Sequence, residues 1–150
     1  MESEDFHGVD ALIRPAGKDD MVAVASLIQE LADFQNMSDG PKINATDLQR
    51  DGFETIPPAF QLLVAENKKN NAIIGYALYF TTYSTWEGPA MMLEDLYVKP
   101  ALRKQGIGRR LFNAVTKDKT LPSTQTWTPS LGSRPPVMFT FIHVNILVPT

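Results

Sequence analysis

The sequence predicts a single α+β domain, and three observations carry that prediction. Val24, Leu27, Ile28 and Leu31 recur at i, i+3, i+4 and i+7, the spacing of one helical face. Three runs rich in β-branched and aromatic residues then follow one another with only short polar breaks, Phe60 to Glu66, Ala72 to Thr82, and a third beginning near Ala90. Finally, the third run stops at Lys99-Pro100, passes two glycines, and resumes as Ile107, Leu111, Ala114 and Val115 at helical spacing. The resulting order is strand, helix, helix, three strands, helix.

In chain order, the acidic segment 1–10 reads as a frayed tail and Ala11 to Pro15 as a short strand. Asp19 or Asp20 starts the first helix, which runs to about Gln35. Met37 to Pro41 is a turn cluster. Asn44 caps a second, shorter helix through about Arg50, with Asp47 beside the positive end of its dipole and Gly52 ending it. Ile56-Pro57-Pro58 is loop, and the polar run Asn67 to Asn71 turns the chain between the first two strands of an antiparallel meander. Tyr83 to Pro89 is the loop before the third strand. Residues 118–150 differ from the rest: a Ser/Thr/Pro-rich stretch to about Pro136, then a mostly apolar run, Val137 to Val148, of strand-like composition.

With 150 residues, the chain has room for one core. Its hydrophobic content of 43% and charged content of 21% are those of a globular protein, and a net charge of −3 argues against nucleic acid or an anionic membrane as partner. No cysteine means no disulfide, no thiolate metal site and no Cys nucleophile. The first residues lack the features of a signal peptide and no apolar run approaches spanning length, so a cytoplasmic location is the expectation. His7 and His143 stand alone, which suits surface or packing roles rather than a metal site.

The chemistry concentrates between Met91 and Val115. Gly106 and Gly108 let a ligand approach the backbone closely, and unpaired N–H groups at a helix start, backed by the helix dipole, favour an anion. Arg103, Lys104, Arg109 and Arg110 add positive charge. The spacing fits neither GxxxxGK[ST] nor GxGxxG, since Leu111 stands at the third glycine of the latter. Arg103-x-x-Gly106-x-Gly108 after a strand ending in Leu96-Tyr97-Val98 instead resembles the acetyl-CoA pyrophosphate loop of the GCN5-related N-acetyltransferase (GNAT) superfamily.

Ile13-Arg14-Pro15-Ala16, Glu30-Leu31-Ala32-Asp33-Phe34, Asp51-Gly52-Phe53, Leu63-Val64-Ala65-Glu66, Ile74-Gly75-Tyr76, Tyr83-Ser84-Thr85-Trp86 and Leu93-Glu94-Asp95 narrow the resemblance to the spermidine/spermine N-acetyltransferase subfamily. Ser84-Thr85 is similar to its thialysine-acetylating branch. The likeness covers about Ile13 to Lys117 and implies a mixed, mainly antiparallel sheet flanked by helices, with an incomplete acetyltransferase domain over 11–117. It further implies acetyl transfer from acetyl-CoA to a primary amine of a small polyamine, diamine or thialysine-like substrate, no metal, and a homodimer. Lys104, Gln105, Gly106, Ile107, Gly108 and Arg109 match the cofactor loop, and Phe34 and Gln35 match a substrate-binding pair whose second member is usually Glu.

Glu94 matches a substrate-binding and catalytic position. Acetyl transfer needs a neutral amine, so Glu94 reads as the base, acting through water, with Asp95 on the opposite face by strand alternation. The alternative is a strand carboxylate answering Arg or Lys. Leu96, Tyr97 and Val98 are expected to hold the pantetheine arm and polarise the thioester carbonyl through backbone groups, or simply to pack. The family's final elements, including a Tyr that protonates the departing thiolate, have no counterpart in 118–150. A cofactor-binding or regulatory form with impaired turnover is therefore the second reading.

Overall fold

A computed structural model describes residues 8–86 and 88–118. Strand β1 (Ala11–Pro15) leads through a 3-10 turn (Lys18–Asp20) into helix α1 (Met21–Phe34), followed by α2 (Ala45–Gln49) and a π-helical turn (Arg50–Glu54). Strands β2 (Gln61–Asn67), β3 (Ile73–Ser84) and β4 (Gly88–Val98) then form a meander, and a 3-10 turn (Pro100–Leu102) precedes α3 (Ile107–Thr116). The sheet order is β1-β2-β3-β4, and every pairing among the described residues is antiparallel.

Local chemistry explains most of these boundaries. Arg14 on β1 donates to Asp20 at 2.7 and 3.0 Å and to Glu66 on β2 at 2.8 Å, tying the entry of α1 to the sheet. Those hydrogen bonds raise the Arg14 pKa, and Arg14 in turn holds the Asp20 carboxyl below the usual carboxylate range. Asn44 and Asp47 form a reciprocal capping box at the start of α2, with both bonds at 3.0 Å. Gly52 does not end the second helical segment: the chain continues as a π turn to Glu54, where a Cβ on Gly52 would meet the Phe60 ring at 2.6 Å. The meander loop is shorter than the sequence predicts, because β3 and β4 pair out to Ser84 and Gly88. The apolar run Val137 to Val148 lies outside the described residues.

The two faces of the sheet carry separate cores. On one, Met91, Leu93, Leu96 and Val98 of β4 pack with Ile107, Leu111 and Val115 of α3. On the other, Tyr76 and Tyr97 pack with Met21, Val24, Leu27 and Leu31 of α1. Residues 8–10 are already tied down: the Val9 N–H donates to Gln105 Oε1 at 2.8 Å, and the Asp10 carbonyl accepts from the Lys68 N–H at 2.9 Å.

Candidate functional site

Gly106 caps α3 with φ of +80°, a left-handed conformation that side chains resist, and a Cβ built there meets nothing within 4 Å. The first helical bond runs from the Arg110 N–H to the Gly106 carbonyl at 3.0 Å, so the N–H groups of Ile107, Gly108 and Arg109 precede the ladder. A Cβ on Gly108 would come no nearer than 3.8 Å to Val98 Cγ2. The turn is thus an open anion cradle, with free space around Gly106 for a ligand to approach the backbone.

The cations around this cradle divide. Lys104, with φ of +65°, and Arg109 are exposed. Arg110 Nη2 instead donates to the Ala11 carbonyl at 2.9 Å, and the Gln105 side chain accepts from the Val9 N–H at 2.8 Å, so both side chains fasten residues 9–11. Arg103 turns away altogether: its Nε donates to the Val98 carbonyl at 2.8 Å, and its guanidinium carbon sits 5.2 Å from the Phe34 ring centroid and 5.4 Å from that of Tyr97. Arg103 and Arg110 flank the turn in sequence, but Arg110 reaches Ala11 ninety-nine positions away, and Arg103 folds back on Val98 and Tyr97 and meets the remote Phe34.

Backbone groups of β4 are also sorted. The Lys99 N–H donates to the Ile74 carbonyl at 2.9 Å, and hydrogen-bonded pairs repeat every second residue of an antiparallel ladder. Tyr97, opposite Tyr76, therefore turns its backbone toward β3, while Leu96 and Val98 turn theirs to the other edge. Of the three residues read as a backbone cradle, only Leu96 and Val98 have groups facing outward, and the Val98 carbonyl is taken by Arg103.

Glu94 sits where the ladder slips. Leu78 pairs with Asp95 and Tyr79 with Leu93, leaving Glu94 as the extra residue of a β-bulge. Leu93 and Leu96 consequently face the same α3-side core, and Asp95 does not oppose Glu94 as strict alternation predicts. The Tyr76 hydroxyl donates to Asp95 Oδ2 at 2.9 Å. Burial raises its pKa well above the ordinary tyrosine value, with Asp95, Tyr97 and Glu94 adding to the rise. Glu94 is half-buried and engages no ion pair among the described residues, so no Arg or Lys among them answers its carboxylate.

Phe34 and Gln35 end α1. Phe34 is 47% exposed against Arg103, and Gln35 is the half-buried C-cap residue whose N–H donates to the Leu31 carbonyl at 3.1 Å. A cleft of about 450 Å³ lined by Gln61, Leu63, Tyr79 and Asp118 lies at the far end of α3, a helix length from Gly106, and takes no part in this arrangement. Among the described residues no group of three His, Cys, Asp or Glu is placed to hold a metal, and no helix is long and apolar enough to cross a membrane.

A bulged strand running through an open glycine turn into a helix is a specific combination. Residues 25–119 match the model of the acetyltransferase (GNAT) family. The chain belongs to that family. Among curated proteins, thialysine N-epsilon-acetyltransferase of Bos taurus is 41% identical over 113 residues, covering 71% of this chain and 65% of the relative. Spermidine/spermine N(1)-acetyltransferase-like protein 1 of Homo sapiens is 36% identical over 110 residues, covering 70% of this chain and 16% of that protein. The GNAT chain thus spans less than two thirds of the length of these relatives. A solved structure of a point mutant of the BH1408 protein from Bacillus halodurans shares the fold with a TM-score of 0.58 at 22% identity, covering 69% of this chain and 71% of that one.

Proposed function

We propose that this GNAT chain binds acetyl-CoA and transfers its acetyl group to a primary amine of a small polyamine, diamine or thialysine-like substrate. The observation that carries the reading is the succession, from one strand into the helix that follows it, of a bulged carboxylate and an open glycine turn: Glu94 at the slip of β4 and Gly106 at the start of α3. Acetyl-CoA, when bound, supplies an acetyl thioester and a pyrophosphate. The N–H groups of Ile107, Gly108 and Arg109 suit the pyrophosphate, with the exposed Lys104 and Arg109 adding charge. The outward backbone of Leu96 and Val98 suits an extended amide-bearing arm, and a β4 N–H donated to the carbonyl oxygen stabilises charge developing there.

Glu94 takes a proton from the substrate ammonium through water, leaving the nitrogen lone pair free to attack. Phe34 and Gln35 line the amine side, and Gln35 brings no charge where the family usually has Glu. The protein-donated proton for the departing thiolate has no assigned residue in 8–118. The same family likeness supports a homodimer. Acetyl-CoA at a hundred times its dissociation constant is expected to raise unfolding stability by about 2.7 kcal/mol, read as a thermal shift. An unmoved transition rejects the cofactor assignment; a shift without acetylation of thialysine or spermidine favours the second reading, a cofactor-binding form with impaired turnover.

A further inference from the structure

Helices α1 and α3 pack on opposite faces of the sheet, yet the connection between β4 and α3 is tied to α1 at two points. Lys99, just before the 3-10 turn Pro100–Leu102, donates through Nζ to Glu30 Oε1 at 3.1 Å. Arg103, just after it, holds the Val98 carbonyl through Nε and lies against the Phe34 and Tyr97 rings. Glu30 and Phe34 are four residues apart on α1, hence on one face, and Lys99 and Arg103 bracket the turn, so the two ties match end to end. They are unequal in strength. The Lys99 and Glu30 side chains are 41% and 40% exposed, and an ion pair so open contributes little. Arg103 is half-buried, makes a charged hydrogen bond and meets two rings. Directly after it the backbone enters the left-handed region, at φ of +65° for Lys104 and +80° for Gly106. A lysine resists that conformation, so the entry to the cradle needs an anchor, and Arg103 stands at its first residue.

We infer that Arg103 is a positioning residue for acetyl-CoA, with Lys99 as a lesser second tie. It clamps the entry of the glycine turn to α1 and β4, and so aims the N–H groups of Ile107, Gly108 and Arg109 at the pyrophosphate without touching it. This deepens the acetyl-CoA reading and rests on it. Cofactor affinity thereby depends on the end of α1, where Phe34 stands, although α1 packs on the face of the sheet opposite α3.

The test is calorimetry of acetyl-CoA binding to the full chain, at a temperature where circular dichroism shows every variant folded. Arg103→Gln is expected to weaken binding about tenfold. Arg103→Lys, which keeps the cation between the rings but lacks the Nε donor, recovers part of that loss. Phe34→Ala weakens binding about threefold by itself and adds almost nothing to Arg103→Gln, because the two substitutions break one contact. Lys99→Ala costs about twofold. Added salt weakens binding as steeply in Arg103→Gln as in the unmodified chain, whereas Arg109→Gln, which removes an exposed cation of the cradle, flattens the dependence. Undiminished affinity in Arg103→Gln or additive losses in the double variant overturns the clamp. A salt dependence flattened in Arg103→Gln as in Arg109→Gln overturns it in favour of direct contact with the anion. Hydrogen exchange without cofactor reads the same clamp: Arg103→Gln and Phe34→Ala both speed exchange at the Arg110 amide, which makes the first bond of the α3 ladder. Unchanged exchange in both variants overturns it as well. An unmodified chain that ignores acetyl-CoA, with Arg110 loosened in both variants, rejects the cofactor reading alone.

Discussion

On the α3 side of β4, Met91, Leu93, Leu96 and Val98 close against Ile107, Leu111 and Val115, an all-aliphatic contact apart from one thioether. On the α1 side the same strand meets Tyr76, the Glu94 and Asp95 carboxylates, and the Tyr97 ring with Arg103 beside it. The difference arises from one inserted residue. By slipping the register at Glu94, the bulge keeps leucines on the aliphatic side both before and after it and leaves two acids to the other. One face of β4 is therefore purely apolar, while the other combines the Tyr76–Tyr97 core against α1 with the polar groups at the bulge.

The sharpest way to break that division is Glu94→Gln, which keeps shape and removes proton affinity. Turnover is expected to fall by about two to four orders of magnitude, with acetyl-CoA affinity and unfolding midpoint unchanged. A flat response in the pH–rate profile places the base elsewhere. Next is Leu111→Ala on the aliphatic side, where Leu111 is fully buried. It should cost about 2–5 kcal/mol in denaturant unfolding.

Tyr76→Phe probes the polar face under alkali. The folded chain keeps the Tyr76 proton above the ordinary tyrosine value of about 10, whereas the unfolded chain releases it. The stability attached to this group is thus present below about pH 10 and declines as pH rises beyond it, by about 1.4 kcal/mol per pH unit. The substitution removes that one slope, measurable in urea midpoints from about pH 9 to well above the ordinary tyrosine value. An identical alkaline slope in both proteins assigns the loss to other groups. The smallest change is Gly108→Ala, inside the first turn of α3, where a Cβ would make only an ordinary 3.8 Å contact with Val98: helix propensity should add about 1 kcal/mol of stability, and acetyl-CoA binding is expected to weaken if the pyrophosphate approaches this backbone closely. Unweakened binding shifts the close approach to Gly106 alone.

How much of this was readable beforehand follows the same division. Strand and helix periods on the aliphatic side are regular, and β1, α1, β2, β3, β4 and α3 fall within a few residues of expectation. The bulge was not read, since Glu94-Asp95 in a strand looks like ordinary polar interruption. Its signal is Leu93 and Leu96, three apart yet both buried on one side, a spacing that strict alternation forbids. Arg103 was missed for another reason: a cation beside a glycine turn invites a local reading, while Phe34 reaches it through the tertiary fold. The Arg-x-x-Gly-x-Gly spacing did locate the open turn.

The chain start is fastened to the last described helix: Val9 to Gln105 and Ala11 to Arg110 join residues almost a hundred positions apart. During synthesis, then, β1 leaves the ribosome long before its two fasteners exist. Closing so long a loop costs little more entropy than closing one half its size, but contacts this remote form late. Strand β1 can pair with β2 as soon as Asn67 has emerged, and its outer end gains these two further fastenings only when Gln105 and Arg110 have been added.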